Sequence, residues 1–230
     1  MKYINLPLIL FSLIFVSFGC QKEYIEPKSL TEQTVIDLPS RAENTPCKSY
    51  FYYYNQDKVQ LGNVSTKRVI IGFQDGFTTE QKNQFISNHS FLQNIESENH
   101  TGSADATVIL LKEGITCSQV QAGLDLLKQS KAVRYATPFF SNDGSDRGIT
   151  NQFIVNLKST STLADLENMA KRTNTKIVDQ LSNLTYILSA DKTSQGNALE
   201  MANFFHENNK IDSSEPDFFF IFSGSYVSKD

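Results

Sequence analysis

The chain has 230 residues, 40% hydrophobic and 11% aromatic, enough apolar surface for one or two small packed domains. That composition excludes a collagen-like, coiled-coil or wholly disordered chain. The 21 basic and 25 acidic residues give a formal charge of −4, and the scattered basic residues form no phosphate-neutralising stripe, so no nucleic acid partner is expected.

Lys2 is followed by a largely apolar run over residues 6–18 and by Ser17-Phe18-Gly19-Cys20, the pattern of an export signal. About 13 apolar residues rise only ~20 Å as a helix, short of the ~30 Å hydrocarbon core, so a permanent span is disfavoured. The segment resembles a bacterial lipoprotein signal. Residues 1–19 would then be removed and Cys20 acylated, holding the chain on a membrane of the bacterial cell envelope, expected to be the outer membrane. The alternative is an ordinary signal peptide that contains Cys20. Gln21-Lys22-Glu23 resembles the surface-export signal of some Bacteroidetes lipoproteins, which leaves both a periplasmic and a surface-exposed location open. Cys47 and Cys117 would lie in an oxidising compartment, where a disulfide between them is permitted. Both could equally be small buried residues, because spacing does not reveal their separation.

Residues 20–48 contain Pro27, Pro39 and Pro46 among Glu, Ser and Thr without an apolar period, and read as a flexible tether. Residues 49–66 read as a β-hairpin: the strand-forming Tyr50-Phe51-Tyr52-Tyr53-Tyr54, a turn at Asn55-Gln56-Asp57, then the alternating Lys58-Val59-Gln60-Leu61. Beyond it lies an internal repeat. Its first copy, residues 67–141, runs strand (68–73), helix (78–87), strand (91–95), strand (106–111), helix (118–130, with Val120, Leu124 and Leu127 on one stripe), strand (132–140). The second, residues 149–222, repeats the order. A strand at 152–157 precedes a helix capped by Thr162 with Asp165 in its first turn, and strands follow at 176–179 and 184–190. A helix after Gly196-Asn197 and a strand at 211–222 close the copy. Ala136-Thr137-Pro138-Phe139-Phe140 stands opposite Glu215-Pro216-Asp217-Phe218-Phe219. The fold class is therefore α+β: two tandem ferredoxin-like (βαββαβ) units with antiparallel sheets, preceded by a β-hairpin. Right-handed crossovers place both helices of a unit on one side, so the other sheet face is expected to be uncovered. The polar residues 142–148 join the copies. Whether the sheets stack or join edge to edge stays open.

Catalytic signals are absent. His89 is expected in a polar turn, His100 in a polar stretch, and His206 near a helix C-terminus where a cation suits the dipole. HExxH, paired CxxC, GxSxG, P-loop and GxGxxG motifs do not occur. Asp143-Gly144-Ser145-Asp146 lacks EF-hand spacing, so neither a metal nor a cofactor is expected.

Residues 151–158 (NQFIVNLK), 196–205 (GNALEMANFF) and 214–218 (SEPDF) resemble the N-terminal prodomain of Bacteroidetes subtilisin-like (S8) serine proteases. The hairpin and first copy resemble the region preceding it in those proteins. The resemblance implies a partner, a subtilisin-like serine protease, docked on the open sheet face, with the tail 223–230 directed through its substrate cleft. No His-Gly-Thr or Gly-Thr-Ser triad segment is present, so no enzyme is expected. Acidic residues of the last strand are implied to cap helix N-termini of the partner. The matching positions are Glu215 and Asp217, two apart and so on one face of a strand. The expectation is a membrane-anchored, non-catalytic inhibitor or folding chaperone. The alternatives are a surface adhesion or ligand-binding lipoprotein, or a truncated S8 protease without its catalytic domain.

Overall fold

The computed structural model describes residues 35–38, 47–99, 104–142 and 145–222. The elements in chain order are β1 (Phe51–Tyr54), β2 (Asp57–Gln60), β3 (Asn63–Phe73), α1 (Thr79–Ser87), β4 (Leu92–Asn99), β5 (Ala106–Leu111), α2 (Cys117–Gln129), β6 (Val133–Asn142), β7 (Ser145–Leu157), α3 (Leu163–Thr173), β8 (Lys176–Gln180), β9 (Thr185–Ser189), α4 (Ala198–His206) and β10 (Ile211–Phe222). The fold is thus mixed α+β with antiparallel sheets. The residues expected as signal peptide, Cys20, His100 and the tail 223–230 lie outside the described residues.

All four helices of the described residues begin where the chain offers a cap. Thr78 with Gln81, Thr116 with Gln119, Thr162 with Asp165 and Asn197 with Glu200 each form a reciprocal capping box. Each box satisfies two backbone N–H groups that the first helical turn leaves unpaired.

The first half orders its strands β4-β5-β3-β6 and the second β8-β9-β7-β10, with every ladder pair antiparallel. The halves join edge to edge through β6 and β7, which pair from Phe139↔Gly148 to Asn142↔Ser145. Most of the stretch expected as a polar connector is therefore strand. Two of its polar side chains are accommodated at the sheet: Asp146 pairs with Arg68, and the Arg147 guanidinium lies 5.8 Å from the Phe218 ring centre. On the other edge of β7, β10 spans its whole length, from Ile211↔Leu157 to Phe222↔Ser145.

On the helix side, one core combines Ile86, Val120, Leu124 and Leu127 of the first half with Leu166, Met169, Ala202 and Phe205 of the second. Sheet residues Val69, Ile71, Phe140, Phe153, Val155 and Leu188 complete it. Each of these side chains larger than alanine, buried in full, contributes about 1.5–3 kcal/mol of transfer free energy. The opposite sheet face departs from expectation in the first half. Ile70, Val108, Tyr135 and Phe139 are buried there in a second cluster, with Phe219 and Ile221 of β10 packed against it. Gly148 makes that approach possible, since a Cβ at this position would stand 2.5 Å from Ile70 Cδ1.

The β1–β2 hairpin turns at Asn55, whose φ of 54° is the left-handed conformation Asn tolerates. It ends at Gln60, and residues 63–66, expected as part of it, already belong to β3. Tyr50 packs edge-on against Phe140 of the first half at 5.1 Å, and Tyr52 against Phe218 of the second at 5.0 Å. Asn203 Nδ2 donates to the Phe51 carbonyl at 2.9 Å, and the Tyr53 hydroxyl donates to Glu207 at 2.8 Å. Part of the expected tether is also docked. Ile36 N–H donates to the Asn88 carbonyl at 2.7 Å, Ser90 N–H donates to the Ile36 carbonyl at 3.0 Å, and Leu38 packs on the core. Cys47 and Cys117 form a disulfide with Cα atoms 5.9 Å apart, within the usual span for such a bond.

Candidate docking face

In β7 the side chains of Phe153, Val155 and Leu157 enter the core, so alternation sends Ile154 and Asn156 to the face opposite the helices. Register then builds two rows across that face. Glu215 stands beside Ile154, Ile154 beside Ile187, and Ile187 beside Asp179. Ser213, Asn156 and Thr185 form the adjacent row. Asn156 Nδ2 donates to Ser213 Oγ at 2.8 Å, and Thr185 Oγ1 donates to Asn156 Oδ1 at 2.8 Å, fixing the polar row. The other row presents two half-buried isoleucines between two carboxylates. Unlike its counterpart in the first half, this face carries partly exposed side chains at alternate positions of β7 and β9.

The two acids of β10 have different settings. Glu215 is half-buried, has no hydrogen bond or ion pair among the described residues, and burial raises its carboxyl above the ordinary range. Asp217 sits where the β7–β10 register breaks between Pro216 and Phe218. Its carboxylate accepts a hydrogen bond from Thr150 Oγ1 at 2.8 Å; burial raises its pKa and that bond opposes the rise. The acid available to a partner is thus Glu215, while Asp217 is already engaged. The corresponding stretch of the first half offers no acid. There Thr137 Oγ1 donates to the Ile149 carbonyl at 2.5 Å.

The two described histidines serve packing. His89, expected in a polar turn, is 4% exposed because its ring fits between Phe85 and Phe91, with Nδ1 2.7 Å from the Phe85 carbonyl. Burial depresses its pKa. His206 does end α4, but its ring stacks on Tyr53 at 4.2 Å, and desolvation lowers its pKa against the opposing pull of Glu207 and Asp212. Among the described residues no group of three or more His, Cys, Asp or Glu is placed to hold a metal ion, and no helix is long and apolar enough to cross a membrane.

Reading the acids alone misses Ile154 and Ile187. The available signal was the alternation of residues 152–157 (QFIVNL) and 184–190 (LTYILSA), which marks one face of each strand as less than fully buried. No family model matches the chain, and no curated protein matches it.

Proposed function

We propose that this chain is a membrane-anchored, non-catalytic protein resembling a subtilisin prodomain, and that it binds a subtilisin-like serine protease as inhibitor or folding chaperone. Both halves are read as ferredoxin-like units. Numbered within each half, the strand orders β6-β3-β5-β4 and β10-β7-β9-β8 are both 4-1-3-2, the arrangement a split βαββαβ unit adopts. Anchoring is assigned to an acylated Cys20 in the bacterial outer membrane.

The observation that carries the reading is the row Glu215–Ile154–Ile187–Asp179 on the free face of the second half. A protease helix laid against it would bury the isoleucines, and its unpaired N-terminal N–H groups would receive the Glu215 carboxylate. Hydrogen bonds to charged groups contribute about 1.5–3 kcal/mol, so losing this one should weaken binding roughly tenfold or more. The test uses the chain from Gln21 onward and a panel of subtilisin-like enzymes, with active and acid-denatured samples of each. The expected result is slowed hydrolysis or improved refolding by the wild-type chain, reduced at least tenfold in Glu215→Ala. A folded chain that neither slows nor refolds any of them overturns the reading.

A further inference from the structure

We propose that the crevice where β7 exchanges one neighbour for another is a binding site for a neutral peptide-type amide, held by the side chain of Asn151. Along one edge, β7 pairs with β6 through residues 145–148 and with β9 through residues 152–156. The strands β6 and β9 must part between these two stretches. Crevices formed where neighbouring strands diverge are favoured ligand sites, because they are concave and expose backbone and polar groups together. The crevice here has a volume of about 230 Å³ and lies between Ala136 and Thr137 of β6, Lys128 near the end of α2, and the β9–α4 loop with the first turn of α4. A second hollow of about 180 Å³ between α2 and α4 shares Lys128, Ala136, Asn197 and Glu200 with it.

Asn151 lines this crevice, is 6% exposed, and has a side-chain oxygen sealed from solvent with no hydrogen-bond partner. Buried polar atoms are nearly always paired, so an orphaned amide oxygen beside an open volume calls for a donor from outside the chain. The neighbouring groups are committed. Thr137 donates to the Ile149 carbonyl, Lys192 Nζ donates to the Ser130 carbonyl at 2.6 Å, Asp191 accepts from Thr193, and Glu200 accepts from Lys48 at 2.7 Å. Lys128 is held by Asp125, Asp191 lies 3.5 Å from Lys176, and the Lys192 ammonium, which has no carboxylate partner among the described residues, is engaged by a neutral carbonyl. A cationic ligand would therefore meet no free carboxylate, and an anionic one only the Lys192 ammonium, which already donates to Ser130. The Asn151 amide offers a donor and an acceptor side by side, and their complement is another amide.

This site is separate from the docking face, and its test does not involve a protease. Uniformly ¹⁵N-labelled chain from Gln21 onward is titrated with N-acetyl-Ala-Ala-Ala-amide while the side-chain amide signals of Asn151 and the backbone signals of residues 136–137 and 190–198 are followed. Saturable shifts of both sets are expected, with affinity at least tenfold weaker in Asn151→Leu. Acetate and methylammonium should move neither set. Unmoved Asn151 signals in the wild-type chain at the solubility limit of the tripeptide would overturn the proposal, whether or not Asn151→Leu folds. Equal binding of either charged probe would also overturn it.

Discussion

The two halves of the molecule share an order of strands and helices and differ on the face the helices leave open. In the first half, that face is an apolar cluster of Ile70, Val108, Tyr135 and Phe139, closed by Phe219 and Ile221 from the far end of β10. In the second, the same face is a mixed surface of Ile154, Asn156, Thr185, Ile187 and Glu215, mostly half-buried. Strands buried on both sides read as continuous apolar runs, and strands buried on one side alternate. Residues 68–73 (RVIIGF) and 106–111 (ATVILL) are of the first kind, residues 152–157 (QFIVNL) of the second. Two halves of one strand order can thus differ in the face opposite the helices, which stays partly exposed in one and is given up to the interior in the other.

The sharpest way to break this comparison is to truncate one apolar side chain on each face. Phe139→Ala removes a side chain with 0% exposure and is expected to cost about 3–5 kcal/mol in urea unfolding, whereas Ile154→Ala, half-buried on the second face, should cost about 1 kcal/mol. Equal costs would mean that both faces are interior. Replacing Cys47 and Cys117 by Ser should cost about 2–5 kcal/mol, because the bond closes a sequence separation of 70 and fixes the hairpin entry to the first half. A negligible change in the urea midpoint would remove that role. Gly148→Ala drives a methyl group toward Ile70 and Phe139 and should cost about 1–3 kcal/mol, measured the same way.

The smallest effect concerns charge. Burial raises the Glu215 carboxyl above its ordinary value of 4.5 in the folded state. Such a group is protonated in both states at lower pH and costs nothing there, but it loses stability as pH rises from the unfolded value through the folded one. Glu215→Gln should therefore match the wild-type Tm below that range and slightly exceed it at pH 7. A variant that melts lower at pH 7 would show that the carboxylate serves the fold and not a partner.

Much of the architecture was legible because it rests on local signals. Thr162 with Asp165 and Asn197 before α4 mark helix starts, and the apolar stripe of α2 shows its buried side. Long-range pairing was hidden. Residues 145–148 are polar and glycine-containing, yet they form strand because β6 and β10 flank them and Arg68 reaches Asp146. Ile36 and Leu38 sit in a segment whose composition reads as linker, and only their contacts with residues 88–90 and the core show that they dock. At the candidate site, Glu215 and Asp217 look alike in the sequence. Thr150 distinguishes them, and it is brought to Asp217 only by the register of β7 against β10. Asn151 has no sequence signature, because its isolation follows from two strands parting beside it.

The most direct measurement is hydrogen–deuterium exchange of the chain from Gln21 onward, alone and mixed with catalytically inactive forms of the subtilisin-like enzymes in the panel. Added protection should appear in β7, β9 and the Ser213–Glu215 stretch of β10, while β3 and β5 stay unchanged. Protection centred on the first half, or binding that leaves the second face exchanging as in the free chain, would contradict the account.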